Sequence, residues 1–352
     1  MVAGARGTGD ARGTVGGLVA GGLATYVDAE DGAGGRPRQA RYRVEAACTA
    51  QGLLAALVRS KPAVARAFEA GALARGGATL RRQDALVPGD VVTLALAPAD
   101  APHAGAGGAG GAAGRRGREE LRVLYRDPFL MAVDKPAGIL VHGDGTGART
   151  LTDGVAALLG REGVPAAPQA VQRLDVDTTG VVLFSLAPEF QPALDALVAS
   201  HDMRKRYLAV VEGSFDAGVR RLDAPLGRDR HDARRMRVSA GSKPALTLVT
   251  VLARRGGKSL LLLELGTGRR HQIRVHLAHA GHPIVGDALY GRALYGRAAG
   301  GRAAGAGGLM LHAVCEELTH PATGRALRLE AGWPARFGKF FSPLDYDAGA
   351  RC

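Results

Sequence analysis

The stretch Gln172-Arg173-Leu174-Asp175-Val176-Asp177-Thr178-Thr179-Gly180 runs straight into Val181-Val182-Leu183-Phe184. It places a guanidinium, two carboxylates, two hydroxyls and a glycine in one short turn, with an apolar, β-branched strand leaving it. Thr and Asp side chains hydrogen-bond nearby backbone, and Gly180 can adopt conformations that other residues avoid. The segment therefore reads as a stiff loop at the edge of a sheet, where a catalytic carboxylate is best held. Taken alone, Asp175 and Asp177 would equally make a solvated turn, so the surrounding chain has to decide.

With 352 residues the chain can bury a sizeable core, and one large domain with a smaller one is expected. The formal charge is +13, carried far more by Arg than by Lys. Such an excess favours polyanions, because phosphate contacts release counterions and guanidinium forks match phosphate geometry. Cys48, Cys315 and Cys352 are scattered and odd in number, which suits a reducing compartment better than a disulfide framework. The apolar run Val15 to Val27 is broken by glycines, too short for a membrane span, and lacks a secretory pattern. A soluble, cytoplasmic protein with no membrane association is expected.

Residues 1–40, rich in Gly, Ala and Arg, read as a flexible basic tail. Between 41 and 98, two short helices (around Leu53–Leu57 and Ala63–Ala70) precede short strands and the turn Val87-Pro88-Gly89-Asp90. Residues 99–119 are an Ala/Gly-rich linker with a basic end, and 120–345 form the main domain. Within it, Leu121–Tyr125, Leu130–Val133, Val181–Phe184, Lys205–Gly213, Leu246–Ala253 and Ser259–Leu265 read as strands. Helices are expected over Leu151–Leu159 and about Pro192–Ser200, and Thr267–His276 opens another that runs to about Ala280. Arg228, Arg230, Arg234, Arg235 and Arg237 make a basic loop facing a polyanion. Gly257-Lys258-Ser259 is no phosphate-binding loop, since the first glycine is missing and a strand follows instead of a helix. Residues 291–308 repeat Gly-Arg-Ala units and read as a low-complexity insertion.

Four elements follow in order: Lys135-Pro136-Ala137-Gly138, the Arg173-Leu174-Asp175 loop, the Lys205-Arg206-Tyr207 strand, and Thr267-Gly268-Arg269 leading to His271-Gln272-Ile273-Arg274. Together with Gly281–Asp287, Leu311-His312-Ala313 and His320–Gly324 they resemble the RluA-type family of RNA pseudouridine synthases, over about Leu121 to Pro334. Residues 41–98 resemble the small RNA-binding domain first known from ribosomal protein S-four, with Gly76-Gly77 where that family usually has Asn-Gly. The resemblance implies an α+β protein: a pseudouridine synthase fold on a mixed, largely antiparallel sheet, plus a small α+β RNA-binding domain. It implies an isomerase that breaks the uridine N-glycosidic bond, turns the base and rejoins it through carbon, with no cofactor and with ribosomal or transfer RNA as partner. Nothing calls for a protein partner, and a monomer is expected.

By the same resemblance Asp175 is the catalytic aspartate and Arg274 its ion-pair partner, with Arg269 as second choice. The step wants an ionised carboxylate against the ribose, and a guanidinium favours that form once water is excluded. Tyr207 matches the family's active-site tyrosine, whose stacking on a flipped base is worth about 1–3 kcal/mol. Ile273 would pack against the base, and Arg173 would fill the gap left by the flipped nucleotide. Lys205, Gln272, Arg228, Arg234 and Arg235 complete the candidate RNA contacts, whereas Lys135 reads as turn decoration.

One departure stands out: the family commonly has histidine before Arg-Leu-Asp, and here it is Gln172, which cannot titrate. A non-catalytic RNA-binding or ribosome-assembly protein on the same fold is the rival reading, resting on Gln172 and the Arg-rich insertion. His271, His276, His279, His282, His312 and His320 lack His-Glu-x-x-His or Cys-x-x-Cys spacing and stand among arginines, so no metal site is expected.

Overall fold

A computed structural model describes residues 17–33, 38–97, 121–291 and 308–347. The apolar runs of the larger domain pair into a ten-stranded sheet. Its path is Arg221–Leu222, Thr247–Arg255, Lys258–Leu265, Arg204–Glu212, Leu311–Thr319, Thr179–Ser185, Leu130–Lys135 and Arg122–Arg126. Gln169–Ala170 adds to Thr179–Ser185, and Ala326–Glu330 to Leu311–Thr319. Thr179–Ser185 and Leu311–Thr319 run parallel, and the other pairings are antiparallel, so the expected mixed, largely antiparallel α+β architecture is what the chain adopts. Helices Leu151–Arg161, Gln191–Ala199 and Gln272–His279 fall where the sequence predicts them. Thr150 caps the first in a reciprocal box with Asp153.

The parallel join lies directly behind the Asp175 loop, pairing Thr179 with His312 and Gly180 with Ala313. Gly180 has φ of +110°, and a Cβ there would sit 2.1 Å from the Ala313 carbonyl oxygen. Only glycine lets the two backbones meet at the point where the loop becomes a strand.

The amino-terminal region differs from expectation. Residues 1–16 lie outside the described residues, but Leu18–Val19, Ala24–Asp31 and Arg38–Val44 are strands rather than tail. They join Val91–Ala95, Leu73–Arg75 and Ala78–Thr79 in a six-stranded sheet, backed by helices Ala50–Val58 and Lys61–Glu69. The cause is visible in Arg38–Val44, where Ala40, Tyr42 and Val44 point inward while Arg41 and Arg43 face out. A basic composition thus conceals a period-two strand. The linker assigned to 99–119 and the insertion assigned to 291–308 lie outside the described residues, save for Gly291 and Gly308.

The two sheets share a core. Tyr42, Leu53 and Leu94 belong to one buried cluster with Phe129, Val181, Phe190 and Leu194 of the larger domain. Arg38, buried, ties them further by donating to the carbonyls of Ala97, Pro128, Pro165 and Leu186. Among the described residues, no helix is long and apolar enough to cross a membrane.

Gly180→Ala should destabilise the protein by at least about 2 kcal/mol, since it adds left-handed strain to an overpacked contact. Urea unfolding checks this, and an unchanged midpoint would contradict the role given to the join.

Candidate active site

The loop that carries Asp175 is held from below. Thr178 N–H closes a turn on the Asp175 carbonyl at 3.1 Å, and Gly138 N–H bonds the Val176 carbonyl at 2.8 Å. Lys135, fully buried, donates from Nζ to the carbonyls of Val176 and Thr178, both at 2.8 Å, and of Pro136 at 3.0 Å. Burial lowers its ammonium to about 8, against the opposing fields of Asp177 and Asp175. Lys135 is therefore a staple for the loop and not a turn decoration: an ammonium has three donors, and here all three meet carbonyls.

Helix Gln272–His279 approaches from the other side. Arg274, buried, donates from Nη1 to Asp175 Oδ2 at 2.9 Å. Its Nε and Nη2 form a fork on the two oxygens of Asp287 at 2.8 and 2.9 Å. Asp287 in turn accepts the backbone N–H groups of Leu289 and Tyr290, which locks the fork in place. Burial works against the Arg274 charge, but the Asp287 hydrogen bonds and the fields of Asp287 and Asp175 outweigh it and raise its pKa. The Asp175 side chain keeps 24% of its surface open, whereas Arg274 keeps 8%. One carboxylate is thus fixed by a guanidinium yet reachable from outside.

Tyr207 comes from strand Arg204–Glu212 and shares a buried cluster with Leu174 and Ile273. Burial raises its pKa, with the fields of Glu316 and Asp175 adding to the effect, so the side chain is a phenol and not a phenolate at neutral pH. Asp175, Tyr207, Ile273 and Arg274 are therefore brought together.

Other candidates fall elsewhere. Arg269 does not reach Asp175; its Nε bonds the Pro244 carbonyl. Gln272 is buried and its amide serves the protein, accepting from Thr267 Oγ1 and Arg269 N–H and donating to the Leu246 carbonyl and Thr247 Oγ1. It is a framework residue and not an RNA contact, because those bonds use its donors and acceptor. Lys205 is buried as well. Arg173, Arg228 and Arg234 are exposed. Arg234 pairs with Asp232, and Arg235 lies over the Tyr290 ring at 5.3 Å.

Three residues around Asp175 escaped the sequence reading. Asp287 stood in a recognised motif but without a role. His271 takes the left-handed conformation, φ 53°, which brings Nε2 to 3.8 Å from Asp175 Oδ1. Its Nδ1 meets the Tyr290 hydroxyl at 2.8 Å, and that hydroxyl already accepts Met236 N–H at 2.8 Å. In its neutral form the ring carries one proton, on Nδ1 or on Nε2. Burial lowers the His271 pKa and keeps it in that neutral form. Hydrogen bonds thus link the basic hairpin Leu226–Arg228/Met236–Val238 through Tyr290 to His271, whose ring lies beside Asp175. Four of the other histidines have separate partners: His276 meets Thr247, His282 the Glu212 carbonyl, His312 Thr179, and His320 Asp127.

The model of the RNA pseudouridylate synthase family matches residues 130–279, a span that includes Asp175, Tyr207, Ile273 and Arg274. The chain is 35% identical over 281 residues to ribosomal large subunit pseudouridine synthase D of Xanthomonas campestris, covering 77% of this chain and 81% of the relative. It is 36% identical over 213 residues to ribosomal large subunit pseudouridine synthase C of Escherichia coli, covering 59% and 65% respectively. Among solved structures, human RNA pseudouridylate synthase domain containing 4 aligns with a TM-score of 0.51 at 26% identity, covering 62% of this chain and 90% of that one.

Asp287→Ala strands the buried Arg274 guanidinium without its fork and should cost about 3–5 kcal/mol of stability. Asp287→Asn, which keeps the shape and one acceptor, should cost less. Urea unfolding of the pair checks this ordering.

Proposed function

The chain belongs to the RNA pseudouridine synthase family, isomerases that convert uridine in RNA to pseudouridine, and we propose that Asp175 is the carboxylate that performs the step. The observation that carries this reading is the Arg274–Asp175 ion pair at 2.9 Å, with Asp175 still partly open. In the reaction the C1′–N1 bond breaks, the uracil turns, and a C1′–C5 bond forms. The C5 proton is lost, and N1 ends with a proton, so the product is an isomer. Asp175 serves the first stage either by removing a ribose proton or by attacking the anomeric carbon. Both routes need a carboxylate held still, and the Arg274 guanidinium holds it.

Tyr207 stacks on the turned uracil, and its protonated hydroxyl can only donate first in any proton movement. Ile273 forms the apolar wall beside it. Arg173, exposed next to the loop, enters the gap left by the flipped nucleotide. His271, with Nε2 3.8 Å from Asp175 Oδ1, walls that side of the carboxylate. Arg228, Arg234 and Arg235 lie on or beside the basic hairpin, whose docking through Met236 and Tyr290 supports a phosphate-tracking role.

The relatives' names point to ribosomal RNA as the substrate class. The small domain, whose two helices back a six-stranded sheet that takes in strands from Leu18 onward, acts as a second RNA-binding surface of the S-four type, and 120–345 as the catalytic domain. A monomer in the cytoplasm completes the proposal.

Asp175→Asn should abolish pseudouridine formation on ribosomal RNA while RNA affinity stays close to that of the parent. Retained formation would overturn the assignment. Arg228→Ala should weaken RNA binding and reduce the slope of log affinity against log salt by about one, with the single-turnover rate at saturating RNA preserved. An unchanged slope would remove that arginine from the interface.

A further inference from the structure

Gln172, which stands where the family commonly has histidine, is bonded across 144 positions of sequence to Glu316. Glu316 lies on strand Leu311–Thr319 and is fully buried. Gln172 Nε2 donates to Glu316 Oε1 at 2.6 Å. Two buried atoms of this pair, Gln172 Oε1 and Glu316 Oε2, have no hydrogen-bond partner among the described residues. Both are acceptors when the carboxyl is ionised, and leaving two acceptors buried without a donor is unfavourable. A single proton satisfies both.

Resting on the reading of Asp175 given above, we infer that Glu316 is protonated in the working enzyme and closes an acid–amide ring with Gln172. Gln172 Nε2–H donates to Glu316 Oε1, and Glu316 Oε2–H donates to Gln172 Oε1. The ring positions the Arg173-Leu174-Asp175 segment by the residue that precedes it, so Glu316 is a positioning residue that acts through Gln172.

The groups facing Glu316 come from both neighbouring strands and from the loop. On the adjacent strand Lys205 pairs in register with Glu316, and Tyr207 lies two residues along on the same face. On the other flank Leu329 is the register partner. The loop contributes Gln172 and, beyond it, Asp175. Arg204 and Arg206 alternate with Lys205 onto the other face, where they pair with Glu264 and Glu317. Among the described residues Glu316 has no ion-pair partner. Burial pushes its carboxyl up to about 7, against the field of Lys205 and the Gln172 hydrogen bond. The folded state therefore holds a proton that an unfolded chain releases nearer 4.5, and this contribution to stability is lost as pH rises through about 7.

Infrared difference spectroscopy on the full chain, titrated between about pH 6 and about pH 8, tests the inference where the proton should leave. A protonated-carboxyl C=O band should be present at the lower pH, vanish toward the higher, and be missing in Glu316→Gln. Asp175→Asn should retain the band, so a failure of the catalytic assignment is distinguishable from a failure of this one. In single-turnover assays the parent should lose about tenfold in rate for each pH unit above the transition. Glu316→Gln forms an amide–amide ring with no proton to lose and should remove that component of the fall. Glu316→Leu, with no ring, should be slow at every pH. If Glu316→Gln does not fold, Gln172→Leu should shift the band by removing its partner. Absence of the band at the lower pH, or a pH profile identical in parent and Glu316→Gln, would overturn the inference.

Discussion

The guanidinium of Arg274 is divided between two carboxylates, and the active site depends on that division. Two of its N–H edges are taken by Asp287, which is itself fixed by two backbone N–H groups; the third is left for Asp175. A planar, rigid fork can hold one partner bidentately and still aim at a second. The arrangement separates structural strength from function. The Asp287 side is buried and fully bonded, while the Asp175 side remains partly open to a substrate.

The loop needs a matching constraint from the sheet side, since a fixed guanidinium alone cannot place a mobile carboxylate. Lys135 provides it through the Val176 and Thr178 carbonyls, and Gly180 provides it by allowing close backbone approach to Ala313. Asp175 is thus clamped between a staple on strand Leu130–Lys135 and a helix start at His271. The Gln172–Glu316 pair holds the loop's leading end, so the three anchors come from three distant parts of the chain. Preorganisation of this kind lets an enzyme avoid reorganising its dipoles when charge develops.

Much of this was legible in the sequence because the signals are local. The strands around Tyr207 and Leu261 are continuous apolar runs, and Asp175, Tyr207 and Arg274 sit in short motifs whose order carries their meaning. What escaped were residues whose roles arise only across the fold. Lys135 looks like a turn residue until its ammonium is seen beneath a loop some forty positions later. Glu316 is one of two adjacent acids in strand Leu311–Thr319, and nothing nearby in sequence says that Gln172 faces it. Gln272 misled in the opposite direction, since a motif neighbour of Arg274 looked like a substrate contact but satisfies the backbone at Leu246 and Arg269. Arg38 and the strand after it were hidden by composition, because a basic stretch resembles a tail unless its alternation is followed residue by residue.

The most direct test of the account is the single-turnover rate of Arg274→Lys on its RNA substrate, measured with RNA affinity and the unfolding midpoint in parallel. Lysine keeps the charge but cannot hold Asp287 and aim at Asp175 together. The expected result is a folded protein that binds RNA much as the parent does and isomerises uridine about a hundredfold or more slowly. A rate close to that of the parent would show that charge alone suffices and that the divided guanidinium is not what the site depends on.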